Sequence, residues 1–127
     1  MAKILVIDDE KLSRITVRKI LEQSGHKVFE AASGNDGIAS FRSQPAGQPF
    51  DVVITDIIMP DKEGVETIMD LRRLSAKIPI IAMSGGGRTG NLDFLKLAEQ
   101  RGANSVLAKP FSPEELLSTV AGLIQTA

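Results

Sequence analysis

Five side chains in this sequence could jointly do metal and phosphoryl chemistry: Asp8, Asp9, Asp56, Ser84 and Lys109. Three carboxylates brought together repel one another and raise each other's pKa unless a cation joins them. Hard oxygen ligands with room for water suit Mg²⁺, with Mn²⁺ able to substitute. A carboxylate can also be a nucleophile and form an aspartyl-phosphate. That transfer needs in-line positioning and neutralised equatorial oxygens more than it needs proton movement. A metal ion on one side, with a lysine and a hydroxyl on the other, would supply the neutralisation.

Taken singly, each residue has an ordinary explanation. Asp8-Asp9 could cap a helix, Asp56 could cap a turn, Ser84 could be loop, and Lys109 could be a solvated charge. The set gains weight from where its members fall. Short apolar runs occupy Lys3–Asp8, His26–Ala31, Val52–Thr55, Ile78–Met83 and Ser105–Ala108. The first, third and fourth are nearly continuous in Ile and Val, as strands buried on both faces are. The five residues stand at or just beyond the ends of four of these runs.

Between the runs lie segments of helical period. From about Glu10 to Ser24, residues Ser13, Val17, Ile20, Leu21 and Ser24 share a stripe, and Gly25 suits a helix end. Further helices are expected over Ser33–Arg42, Gly64–Ser75 and Asn91–Arg101, and from Ser112-Pro113-Glu114-Glu115 onward. That last sequence is a capping box with proline at the first helical position. Five β–α pairs imply an α/β, doubly wound, open parallel five-stranded sheet with helices on both faces. In such sheets the ligand site lies outside the carboxyl ends of the strands, which is where the five residues should meet.

The remaining composition narrows the class. The 127 residues suit one domain, 1–127, with 43% hydrophobic and 24% charged residues. Cysteine is absent, which excludes disulfides and thiolate metal sites. A net charge of −1 lacks the basic footprint of a nucleic-acid-binding domain. No apolar run is long enough to span a membrane, and the N-terminus lacks a signal-peptide layout. A cytoplasmic protein, monomeric or weakly dimeric, is expected.

At these residues the sequence closely resembles the receiver domain of bacterial two-component response regulators, a flavodoxin-like (βα)5 fold. The matching motifs are IDDE at 7–10, TDIIMPDKEG at 55–64, MSG at 83–85, GANSV at 102–106 and AKPF at 108–111. The resemblance implies that Asp56 accepts a phosphoryl group. It implies that Asp9 binds Mg²⁺ directly, Asp8 mainly through water, and Ile58 through its backbone carbonyl. Lys109 would pair with the phosphoryl oxygens, and Ser84 with Gly85 would form the switch and phosphate-binding position. Lys109-Pro110 falls where the family has a cis peptide. The phosphodonor would be a histidine kinase or a histidine phosphotransfer protein, acting through this switch on a downstream protein target.

One departure stands out. Where the family usually has Tyr or Phe, three residues before the lysine, this chain has Val106. Valine is short and stiff at χ1, so a large rotamer swing cannot be the readout. The expectation is that activation runs through the backbone of Ser84–Asn91, a stretch freed by Gly85, Gly86, Gly87 and Gly90. No Lys-Ser or Lys-Thr follows these glycines, so they are not a P-loop. Ile58 and Gly86 offer no group to orient an attacking water, which leads us to expect slow self-dephosphorylation.

On the first helix, Leu12 and Ile15 sit more than about 130° from Val17 at 100° per residue. They are expected on an exposed face that could dock a partner. His26, the single histidine, opens the second strand far from the site and is expected to be structural. The chain ends just after the fifth helix with no output domain following, so a standalone switch or phosphorelay intermediate is expected. The alternative from another class is a Mg²⁺-dependent phosphohydrolase. Such enzymes carry a second acid two residues after the nucleophile, and here that residue is Ile58. A receiver-like module that signals without phosphate is disfavoured because all five site residues are present.

Overall fold

The computed structural model describes residues 2–57, 64–84 and 91–125, the side chains of 91–95 and 125 excepted. Strands β1 (Lys3–Ile7), β2 (Lys27–Ala31), β3 (Val52–Asp56), β4 (Ile80–Ser84) and β5 (Ser105–Ala108) alternate with five helices. These are α1 (Lys11–Gln23), α2 (Gly34–Arg42), α3 (Gly64–Leu74), α4 (Asn91–Arg101) and α5 (Pro113–Gln125). The strands form one parallel sheet in the order β2-β1-β3-β4-β5, a doubly wound arrangement of the kind expected from the alternating runs.

The continuous apolar runs become the central strands because both sheet faces are covered. Leu5, Ile7, Val53, Ile80 and Ala82 pack with Ile68 and Leu71 of α3 and Ala98 of α4 on one face. Ile4, Val6, Val52, Ile54, Ile81 and Met83 pack with Val17 and Leu21 of α1 and Leu116 and Val120 of α5 on the other. Burying a side chain of this size contributes about 2 kcal/mol before the entropy cost of ordering it.

Three local differences from the sequence reading have clear causes. β4 begins at Ile80 rather than Ile78, because the Ile78 N–H is taken by Ser75 Oγ (3.1 Å) and Pro79 has no N–H to give. β3 and β4 each run one residue further than expected, to Asp56 and Ser84. Asp56 pairs with Met83, and Ser84 accepts from the Lys109 N–H at 2.8 Å. α1 stops at Gln23, leaving Ser24 exposed rather than on the buried stripe. There the chain turns into Gly25, whose φ of 91° lies in the left-handed region that glycine accepts readily.

The capping box forms as read. Ser112 Oγ accepts from the Glu115 N–H and Glu115 Oε1 from the Ser112 N–H, both at 3.0 Å. No helix among the described residues is long and apolar enough to cross a membrane.

Candidate functional site

Asp8 lies one residue past β1 and is fully buried. Its Oδ1 accepts from the Glu10 N–H (2.9 Å), and Arg14 Nη1 donates to its carbonyl oxygen (2.7 Å). The cap position of α1 is Glu10, which makes no side-chain capping bond. Asp9 is exposed. Helix capping therefore does not account for Asp9.

Arg14 is itself held by Glu30 of β2, its Nε donating to Oε1 at 2.7 Å, while Arg18 bonds the other oxygen of the same carboxylate. The Arg18 hydrogen bond lowers the Glu30 pKa; burial opposes this, and Arg14 adds to the lowering. An ionised Glu30 thus fixes Arg14, and Arg14 fixes the loop that carries Asp8.

Asp56 ends β3 and is 5% exposed. Carboxylate oxygens of Asp8, Asp9 and Asp56 lie within 4.8 Å of one another. Two of the three acids are buried and one faces water, a combination that leaves coordination positions open toward solvent. Hard, flexible oxygen donors of this kind match Mg²⁺.

Lys109 follows β5, and its bond to Pro110 is cis. Its Nζ donates to Ser13 Oγ (2.7 Å), Asp8 Oδ2 (3.0 Å) and Asp56 Oδ2 (3.2 Å). Burial alone would lower the pKa of this ammonium. The charge of Asp56 and the hydrogen bond and charge of Asp8 outweigh burial and hold it above the ordinary lysine value.

Ser84 ends β4 at 1% exposure, and among the described residues its Oγ has no hydrogen-bond partner. A buried hydroxyl left unpaired costs about 1–3 kcal/mol, so this one awaits an acceptor or donor. It sits on the strand between β3, which ends in Asp56, and β5, which is followed by Lys109.

The sheet thus brings Asp8, Asp56 and Lys109 into direct contact, with Asp9 beside them and Ser84 at the neighbouring strand end. Ile58 and Gly85, with the rest of the 85–90 segment, lie outside the described residues. Val106 is partly buried against the core cluster containing Ala82, Ala98 and Ala103.

The expected exposed pair on α1 needs correction. Leu12 is 77% exposed, but Ile15 is partly buried. The two differ by about 60° around the helix. Leu12 lines an apolar groove of about 430 Å³ with Thr16, Ile20, Pro110 and Phe111. Ile15 turns the other way, toward the side of Arg18.

Two contacts were missed from the sequence. Ser13 was read only as part of a buried stripe, and Arg14 was not singled out. A polar residue on the inward stripe, one turn after paired acids, is the signal that would have found Ser13.

The comparisons with known proteins agree with this fold. The family described as response regulator receiver domain matches residues 4–121. Protein PilH of Pseudomonas aeruginosa is 32% identical, covering 98% of both chains. Transcriptional regulatory protein ResD of Bacillus subtilis is 31% identical over 98% of this chain but only 49% of its own length. The chain thus spans about half the length of some of its curated relatives.

A response regulator receiver domain protein from Clostridium thermocellum has a TM-score of 0.89 and 32% identity, covering 99% of this chain and 96% of that one. Chemotaxis protein CheY4 of Vibrio cholerae has a TM-score of 0.83 and 31% identity, with coverage of 97% and 98%. With this match over nearly its whole length, the chain belongs to the response regulator receiver domain family of two-component signalling, whose members act as phosphorylation-controlled switches rather than as catalytic enzymes.

Proposed function

We propose that this chain is a signalling switch or phosphorelay intermediate that takes a phosphoryl group on Asp56 in a Mg²⁺-dependent reaction. The observation that carries the reading is the bridge made by Lys109, whose ammonium contacts both Asp8 and Asp56. A cation already neutralises the site, and Asp8, Asp9 and Asp56 are close enough to share a second one.

In this reading Asp8, Asp9, Asp56 and the Ile58 carbonyl would hold the metal ion, which when bound would supply neutralisation of the phosphate's charge. Asp56 Oδ attacks phosphorus while the bond to the donor's leaving atom breaks. Lys109 neutralises an equatorial oxygen, and Ser84 and Gly85 receive another. The Ser84 hydroxyl, unpartnered among the described residues, gains a hydrogen bond when that oxygen arrives.

The donor is a histidine kinase or a histidine phosphotransfer protein, encountered in the cytoplasm. Leu12 and the groove beside it serve as the donor's docking surface, since the groove opens directly onto Lys109. The partly buried Ile15 has no part in it.

The test is incubation with acetyl phosphate or phosphoramidate, followed by intact-mass analysis. One acid-stable phosphoryl group per chain is expected, dependent on Mg²⁺, blocked by chelator and lost in Asp56→Asn. Label retained in Asp56→Asn would overturn the assignment.

A further inference from the structure

The shortest of the three contacts of the Lys109 ammonium is not to a carboxylate. Ser13 Oγ lies 2.7 Å from Nζ, against 3.0 Å for Asp8 and 3.2 Å for Asp56. An ammonium has three N–H donors, and these three partners occupy them. Two partners are acids that must turn to other tasks when a metal ion and a phosphoryl group arrive. The third is a neutral hydroxyl on a helix, 96 residues away in sequence. It has no charge to exchange.

We infer that Ser13 is a positioning residue for phosphoryl transfer, holding the Lys109 ammonium at the rim of the site so that it meets the incoming equatorial oxygen. This rests on the reading of Asp56 as phospho-acceptor. Without Ser13, a lysine on a four-carbon stem would collapse onto Asp8 and Asp56. It would then have to leave the carboxylate it should leave free to attack. With Ser13, one N–H stays pinned to α1 while the other two change partners.

The step itself is balanced without Ser13. Asp56 Oδ forms the new P–O bond, the donor's leaving atom keeps the electron pair of the broken bond, and no proton leaves Lys109. Ser13 and Lys109 also both line the groove beside Leu12, so a donor seated there would touch the residue that sets the ammonium.

The experiment compares single-turnover phosphorylation of the full chain by phosphoramidate in Mg²⁺ for wild type, Ser13→Ala, Ser13→Thr, Lys109→Ala and the Ser13→Ala/Lys109→Ala double variant. Losing one hydrogen bond to a charged group predicts a maximal rate slower by about tenfold or more in Ser13→Ala, with the half-saturating donor concentration unchanged. Ser13→Thr, which keeps the hydroxyl, should recover to within about twofold. In the Lys109→Ala background, Ser13→Ala should have no further effect, because its action runs through the ammonium.

Equal rates in wild type and Ser13→Ala would overturn the proposal. So would the same loss in both backgrounds, or failure of threonine to rescue a folded variant with an unchanged melting temperature. Absence of label on wild-type Asp56 would instead overturn the reading beneath it, and the inference with it.

Discussion

A Cβ added to Gly64 would lie 2.0 Å from the carbonyl oxygen of Asp56 and 2.2 Å from Cα of Ile57. The first residue of α3 therefore lies directly against the backbone that presents the nucleophile, and its N–H donates to the Ile57 carbonyl at 3.1 Å. Both obstructing groups are main chain and cannot rotate away. Gly64→Ala should cost about 3 kcal/mol or more and move the Asp56 backbone. Thermal melting would register the first effect, and the phosphorylation rate, slowed at least tenfold in the fraction that folds, the second.

Arg72 of α3 fastens the opposite end of the sheet. Its guanidinium donates to the Gly102 carbonyl from Nε (3.0 Å) and Nη2 (2.8 Å), to the Ile78 carbonyl (2.6 Å) and to Asn104 Oδ1 (2.7 Å). Asn104 Oδ1 also accepts from the Ile80 N–H (2.8 Å). Arg72→Ala strands several carbonyls at once and should destabilise by about 3 kcal/mol. Arg72→Lys should recover less than half, because an ammonium cannot reproduce the planar fork. Denaturant unfolding of both variants checks this, and equal stability of Arg72→Lys and wild type would refute it.

Lys109 is in contact with both Asp8 and Asp56. Removing its charge as Lys109→Gln takes a neutralising contact from two buried carboxylates and should lower stability in chelator by about 2 kcal/mol or more. Saturating Mg²⁺ should then raise the melting temperature of the variant more than that of wild type, since the ion takes over the neutralisation. Identical Mg²⁺ shifts would show that metal and ammonium do not share this task.

His26 Nδ1 accepts from the Ala2 N–H at 3.1 Å, a bond only the neutral ring can make. Burial, with a smaller effect of the N-terminal amine, lowers its pKa below the ordinary 6.5. The folded state thus binds fewer protons than the unfolded one just below that pH. The stability from this group is present above pH 6.5 and is lost as pH falls toward the folded value. His26→Gln, which does not titrate, should flatten the melting-temperature slope immediately below pH 6.5, before the carboxylates titrate.

If the groove beside Leu12 seats the phosphodonor, Leu12→Glu should slow transfer from a cognate histidine protein about tenfold or more. Phosphorylation by acetyl phosphate should be nearly unaffected. Ile15→Glu should have the smaller effect on transfer, being on the other flank of α1. Equal losses with protein and small-molecule donors would remove the docking role.

Most of the fold was legible because β1, β3 and β4 are apolar on both faces, and the only sheet that buries such strands is one covered on both sides. The same runs located Asp8, Asp56 and Ser84 by ending at them. The capping box at Ser112 was readable because its hydrogen bonds are local. What stayed hidden depends on contacts between distant segments. Ser13 meets Lys109, and Arg72 meets Gly102, across long stretches of chain that periodicity does not see. Ile15 misled because angular distance from Val17 says nothing about what covers the far flank of a helix.

The ladder that pairs Asp56 with Met83 and Ser84 with Ala108 has a consequence for how this chain can change length. Side chains alternate faces along a strand, so deleting one residue within β3 or β4 would swap the residue presented at its tip for its neighbour. Residues 43–51, between α2 and β3, enter far from those tips and can lengthen at little entropic cost. Insertions and deletions should therefore accumulate at the amino ends of the strands, leaving the carboxyl ends unchanged in count.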